Sequence, residues 1–320
     1  MSNTCFCDLL IVGGGPAGLA AAINGASEGL SVKIMDSGNA FGGQAKESSA
    51  IENYPGFPSG ITGHDLMTSF VLQAKKFDAT MICPLGAAHI ERDGSFINVA
   101  TEDYQTFVSK TVLLSFGLTY RRLLATGIGA LMNRGVFYGM PPGRFYPTKT
   151  CNVAVIGGAN SSGQAVLKLA QNPKTTVHMY IRKKITDQMS TYLIERILKT
   201  KNIVVCEGCE IIGVHGETWL ESIDVKNDNG EIENKKMNNM FIFIGATPKT
   251  IWLKNCVELN EKKFILTGND LEEPSKYPYE TSMSGVFAAG DVRYGSTKRI
   301  ATAIGEGVSA LSMIHGYLSS

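Results

Sequence analysis

The sequence predicts an α/β protein made of two doubly wound, Rossmann-like nucleotide-binding domains, the second inserted into the first. Three observations predict it. A strand–glycine loop–helix unit stands near the N-terminus, a second stands near the middle, and a late strand and helix complete the first. At 320 residues the chain has room for two domains, and 44% apolar content is ample for buried cores. Only 18% of residues are charged, against about 25% for an average soluble chain. A net charge of +1, with no basic run longer than three residues, argues against nucleic acid as the partner. No apolar run reaches the ~18 residues of a membrane span, and no basic region precedes the first apolar stretch as a signal peptide would require. The expectation is a cytoplasmic protein in which the seven cysteines are thiols unless two of them do redox work.

The first strand is Leu9-Leu10-Ile11-Val12, a continuous apolar run of the kind buried on both faces of a parallel sheet. Gly13 to Gly18 follow, then an alanine-rich helix from Pro16 to Ser27, and Val32 to Met35 returns as the next parallel strand. The second unit opens with Asn152 to Ile156 and turns through Gly157 to Ser162. Its helix runs to about Gln171, stopped by Asn172-Pro173, and Val177 to Ile181 is the next strand. Val286 to Ala289 and a helix from Arg299 to Tyr317 return to the first domain. The expected domains are therefore 1–117 with 249–320, and 118–248. The crossings are Leu118-Thr119-Tyr120 and Ala246-Thr247-Pro248.

Val12 to Gly18 fits G-x-G-x-x-G between strand and helix. Gly13 allows the tight turn, Gly15 lets backbone reach a pyrophosphate, and Gly18 lets helix pack on strand. The helix N-terminus offers free N–H groups and a positive dipole end to phosphates. Asp36, at the end of the second strand, is placed to accept hydrogen bonds from ribose hydroxyls. Gly285 to Asp291 is an apolar strand delivering one aspartate onto a glycine turn, suited to the ribityl chain of a flavin. The helix after Lys298-Arg299 is suited to the flavin pyrimidine. A buried N-cap aspartate would explain Asp291 alone, but not its company.

Gly42-Gly43-Gln44, Ile51 to Pro58 and Gly285 to Asp291 resemble the FAD-binding signatures of low-molecular-weight thioredoxin reductases, and the similarity covers essentially the whole chain. The resemblance implies a thioredoxin-reductase-like fold, a homodimer, and FAD held by Gly13, Gly14, Gly15, Pro16, Ala17, Asp36, Ser37, Gly43, Gln44, Asn53, Ser115, Gly117, Gly290, Asp291, Lys298, Arg299 and Ile300.

The chain also departs from that family. Where its members carry the redox dithiol, C-x-x-C, this sequence reads Gly139-Met140-Pro141-Pro142, and neither glycine nor proline has a nucleophilic atom. The second glycine loop, Gly157-Gly158-Ala159-Asn160-Ser161-Ser162, has alanine where the middle glycine would admit a pyrophosphate. The next strand ends in Arg182-Lys183-Lys184, with no acid for a free 2′-hydroxyl, which suits the 2′-phosphate of NADPH. The family's further arginine downstream is replaced by Ile185 to Met189. NADPH, another nucleotide, a second flavin, an empty pocket and a solvated basic strand end all stay open. Asn160 to Ala165, Gln188 to Leu193 and Asp291 to Ser296 look like a branch of thioredoxin-reductase-like flavoproteins that lack the dithiol.

Cys206-Glu207-Gly208-Cys209 is another C-x-x-C, but it falls between two strands rather than at the start of a helix, and Glu207 would raise a neighbouring thiol's pKa. With no second such pair and five dispersed histidines, zinc is not expected. The leading expectation is an FAD-dependent oxidoreductase without the family's dithiol, taking electrons from NADPH or a redox protein and passing them to an external acceptor. The alternatives are a flavin- or nucleotide-binding regulatory module without turnover, and disulfide chemistry through Cys206 and Cys209 or with a second flavin in place of NADPH. No general acid or base stands out.

Overall fold

The computed structural model describes residues 5–48, 51, 53–139 and 149–320. The chain divides into two compact units, Met1–Thr119 with Thr247–Ser320, and Tyr120–Ala246. It passes between them at two short strands, β7 (Thr119–Tyr120) and β16 (Ala246–Thr247).

The first unit is built on β1 (Cys5–Val12), α1 (Pro16–Ser27), β2 (Val32–Met35), α2 (Gly63–Lys76), β3 (Thr80–Ile82), β4 (Ala87–Asp93), β5 (Phe96–Thr101) and β6 (Thr106–Leu114). It is completed by β17 (Val286–Ala288) and α6 (Ile300–Leu318). Its sheet runs β3-β2-β1-β6-β5-β4, with β17 also on β6. Strand β6 has two characters. Val108 and its neighbours pair antiparallel with β5, and the strand there alternates buried and less buried positions. Val112 to Leu114 lie between β1 and β17, both parallel, and are fully buried, which is why the sequence changes from alternating to continuously apolar. Strand β1 starts at Cys5 rather than Leu9, because Cys5 to Cys7 pair with Phe107 to Ser109. Its side chains alternate between two cores. From Leu9 onward, Leu9 and Ile11 join the cluster under α1, α2 and α6, while Leu10 and Val12 join the opposite one with Val286 and Ile265; Cys7 also belongs to the second cluster, so the alternation does not extend back across Asp8.

The second unit contains α3 (Ile128–Leu131), β8 (Val136–Tyr138), β9 (Cys151–Ile156), α4 (Asn160–Leu169), β10 (Thr175–Ile181), α5 (Thr191–Lys199), β11 (Ile203–Glu207), β12 (Cys209–His215), β13 (Ser222–Asn227), β14 (Ile232–Lys236) and β15 (Asn239–Ile242). A parallel sheet runs β11-β10-β9-β15-β8, and β12-β13-β14 form a separate antiparallel sheet. Helix α4 ends at Leu169, before the expected Gln171. The N–H groups of Gln171 and Asn172 reach back only three residues, to Lys168 and Leu169, so the last turn tightens out of α geometry before Pro173.

Candidate nucleotide-binding sites

In the first unit the loop after β1 is held on three sides. Gly13 has φ +110°, and a Cβ there would stand 2.3 Å from the Phe116 backbone, so only glycine lets β1 turn this close to the segment after β6. Gly18 lies under the same turn, where a Cβ would meet Gly13 O at 2.0 Å. Gly15 behaves differently. It is the N-cap of α1 with ordinary extended backbone (φ −79°, ψ −171°), makes no side-chain cap, and has no atom within 4 Å of a Cβ built on it. The helix therefore begins at an open face on Gly15, with Pro16 at its first turn and its first N–H groups lacking intrahelical partners, while Ala17 behind it is buried. A pyrophosphate fits there on shape and on dipole.

Asp36 closes the loop. One carboxylate oxygen accepts from Gly14 N (2.6 Å) and the other from Gly38 N (2.7 Å), which leaves lone pairs for further donors. Ser37 beside it is exposed. Ser115 is buried, and its hydroxyl donates to Gly13 O (2.8 Å); it anchors the loop from below rather than facing solvent. Gly43 begins a 3-10 turn whose Cα side approaches Gly15, and the Gln44 amide donates to Leu118 O. Asn53 and Gly117 lie in loops, Asn53 exposed and Gly117 with φ +62°.

The far end of the unit is organised by Glu306, which no sequence motif marks, and by Arg293 from the Asp291 to Ser296 stretch. Glu306, on α6, accepts from Gly290 N (2.7 Å) and from Arg293 Nε (3.2 Å) and Nη2 (2.8 Å). Its side chain is 7% exposed and that of Arg293 16%. The available signal was a single charged residue in the run from Ile300 to Ile314. This pair fixes the turn that presents Asp291. The Asp291 carboxylate accepts no hydrogen bond from the described residues, and burial, aided by Glu306, raises its pKa against the opposing pull of Lys298. A half-buried acceptor without a donor fits a ligand hydroxyl. Lys298 is committed otherwise: its ammonium donates to Asp291 O (2.7 Å) and sits over the Phe264 ring, and burial lowers its pKa. It braces the turn instead of projecting towards a ring carbonyl. Arg299 is the N-cap of α6, with no side-chain cap, and Ile300 opens the helix.

The second unit carries a cavity of about 990 Å³ at the ends of β9, β10 and β15. Gly157, Gly158, Ala159 and Ser161 line it, with Arg182, Lys183 and Lys184 from the end of β10. Ala159 is the N-cap of α4 in extended backbone (φ −102°, ψ 177°), the position and conformation of Gly15 in the first unit. The backbone there does not need glycine; what changes is that a methyl group stands where the first loop is open. Asn160 is tied to Ser190 through Oδ1 and Nδ2, and Ser162 is buried with its hydroxyl on Ala159 O, so both hold the loop itself. Arg121 and Arg122, not anticipated from the sequence, line the same cavity.

Gly139 has φ +75° and open space around a built Cβ. Met140 to Gly143, including Pro142, and Glu52 lie outside the described residues. Cys206 and Cys209 are free thiols at the end of β11 and the start of β12, across Gly208. Burial raises both pKa values, Cys206 further through Cys209, and Cys209 through Asp228 and Glu233. Glu207 is not the cause; its carboxylate is turned to accept from Ile185 N (2.6 Å). Among the described residues no His, Cys, Asp and Glu group is placed to hold a metal, and no helix is long and apolar enough to cross a membrane.

Two Rossmann-like units, each a largely parallel sheet with its long helices on one face rather than on both, and each with a glycine loop feeding a helix N-terminus, give the fold of thioredoxin reductases. Residues 7–307 match the pyridine nucleotide-disulphide oxidoreductase family, and the chain belongs to that family. Among curated proteins it is similar to one component of the alkyl hydroperoxide reductase of Staphylococcus epidermidis, the one designated F, with 32% identity over 314 residues. That match covers 97% of this chain and 59% of the relative, so the chain spans about three fifths of that protein's length. Among solved structures it is similar to thioredoxin reductase from Streptococcus pyogenes (TM-score 0.80, 29% identity, 99% of each chain covered). It is also similar to T. acidophilum thioredoxin reductase (TM-score 0.68, 27% identity, 98% of this chain and 99% of that one).

Proposed function

We propose that this chain is an FAD-dependent oxidoreductase that works without the dithiol of thioredoxin reductases. Electrons enter from NADPH or a reduced redox protein and leave to an external acceptor. The observation that carries this is the contrast between two places. In the first unit, the open face of Gly15 and the unpartnered Asp291 carboxylate in the turn after β17 support a bound FAD. At the position of the family's first redox cysteine stands Gly139, in a backbone conformation that L side chains rarely adopt, with proline at the second.

Bound FAD would supply a two-electron carrier. The chain's own residues would bind and orient it: Gly13 to Ala17 the pyrophosphate, Asp36 and Ser37 the adenosine ribose, and Gly43, Gln44, Asn53, Ser115 and Gly117 the enclosing loops. Gly290 and Asp291 would take the ribityl chain and the helix start at Arg299 and Ile300 the ring, with Lys298 bracing the turn. Gly157, Ala159, Ser161 and Arg182 to Lys184 would serve a second nucleotide, with Asn160 and Ser162 holding the loop in shape and NADPH favoured by the basic strand end. The acceptor is a small disulfide, a quinone, oxygen or a redox protein. A peroxide-reducing partner is favoured by the likeness to a hydroperoxide reductase component. A homodimer in the cytoplasm is the expected setting.

Anaerobic spectral titration tests this. The purified protein should carry FAD, and NADPH, NADH or reduced ferredoxin should bleach it; FAD that none of them reduces overturns the proposal. One observation favours a second reading, a nucleotide-binding module without turnover: the Ala159 methyl at the second loop. Steady NADPH-driven reduction of a quinone or disulfide would dispose of that reading.

A further inference from the structure

Arg121 and Arg122 have no part in the sequence motifs, yet they line the second unit's cavity together with Arg182, Lys183 and Lys184. Among the described residues none of these five cationic side chains makes an ion pair or hydrogen bond with the protein. Two carboxylates, Asp187 and Glu210, also line the cavity and pair with none of them. The two cationic groups reach it from opposite sides. Arg182 to Lys184 follow β10, which lies on one side of β9. Arg121 N donates to Gly245 O (3.0 Å), in the segment following β15, on the other side of β9. Leu123 N donates to the Tyr138 hydroxyl (2.8 Å) and Tyr120 stacks on Tyr138 at 6.0 Å, so the segment bearing the arginines is pinned. The glycine loop and the N-terminus of α4 stand between the two groups.

A dinucleotide lies across the carboxyl ends of such a sheet's strands, with its pyrophosphate at the helix N-terminus and its adenosine on the second-strand side. With a 2′-phosphate at Arg182 to Lys184, the nicotinamide half extends towards Arg121 and Arg122. That end carries no anion for the arginines to meet. In the oxidised nucleotide its ring is a cation, and in the reduced nucleotide it is neutral. We infer that Arg121 and Arg122 discriminate between the redox states of a nicotinamide nucleotide, holding NADPH more tightly than NADP+ and so speeding release of the oxidised product. This rests on the reading of the second unit as an NADPH site.

The arginines are exposed, so water screens the repulsion, and an effect of roughly ten-fold in affinity at low salt is expected, shrinking as salt rises. The test is calorimetric binding to the FAD-loaded protein. The probes are NADP+ and 1,4,5,6-tetrahydro-NADPH, whose ring is neutral and cannot give up hydride. In the wild type the tetrahydro analogue should bind about ten-fold more tightly at 20 mM salt, and the ratio should fall at 300 mM. In R121Q/R122Q, which replaces side chains that make no ion pair or hydrogen bond with the described residues, the ratio should approach one, because the phosphates common to both probes cancel in it. Equal affinities in the wild type, or a ratio the double substitution leaves unchanged, overturn the inference and leave the NADPH site standing. If neither probe binds, the NADPH reading itself falls and the inference falls with it.

Discussion

Gly15→Ala separates what the first loop needs for folding from what it needs for a ligand. The backbone at Gly15 is extended with negative φ, so alanine adopts it without strain, and the added methyl meets no protein atom within 4 Å. The only cost to the apoprotein is the poorer N-cap, about 0.5 kcal/mol, or a Tm lower by about 1–2 °C. A pyrophosphate seated on the helix N-terminus would instead meet the methyl and lose at least one charge-assisted hydrogen bond. Such a bond contributes about 1.5–3 kcal/mol, hence FAD affinity about 10- to 100-fold weaker. Gly18→Ala is the control. Its Cβ would stand 2.0 Å from Gly13 O and 2.6 Å from Ser115 Oγ, and overpacking of that kind costs about 1–3 kcal/mol in the apoprotein itself. Thermal unfolding of both apoproteins and fluorescence titration with FAD read the two effects separately. If Gly15→Ala binds FAD as tightly as the wild type, the open face of Gly15 is not a pyrophosphate seat, and the Ala159 methyl is no obstacle at the second loop either.

Ala159→Gly is the converse change, and calorimetry should find NADPH binding about ten-fold tighter, the gain of one such contact, with no loss of stability. Glu306→Gln strands the largely buried guanidinium of Arg293; a loss of about 3 kcal/mol, and a Tm lower by about 5–10 °C, is expected on thermal unfolding of the apoprotein. Asp291→Asn should raise apoprotein stability at pH 7 while weakening FAD retention. Burial raises the Asp291 pKa in the folded chain above 3.8. The ionised form is therefore a burden above the folded pKa that disappears below the unfolded one, so the gain measured by urea unfolding should vanish near pH 3. Cys206 and Cys209, with pKa values raised by burial, should react with iodoacetamide at pH 7.5 more slowly than glutathione, as followed by mass spectrometry.

The parallel strands were legible because they are buried on both faces: Leu9 to Val12 and Asn152 to Ile156 are near-continuous apolar runs, each followed by glycines. Of the antiparallel sheet of the second unit only β12 was, as the strand after Cys206 to Cys209. Ile232 to Lys236 of β14 are all exposed, so no alternation of burial was written into them, and their strand conformation is imposed by pairing with β13. Ser115, Ser162, Asn160 and Lys298 show a similar limit at the sites. Each side chain bonds to the protein and holds a loop or turn, a role that residue type alone does not reveal.

By itself the sequence determined the fold class and the family resemblance, because these depend on local pattern and on which atoms a side chain carries. Tertiary structure decided the rest. It joined Glu306 to Gly290 and Arg293 across a turn of helix and loop, and it brought Arg121 and Arg122 to the cavity of Arg182, about sixty positions away in the chain. Electrostatic fields and close contacts act through space, and a parallel sheet brings the ends of its strands together whatever the length of chain between them.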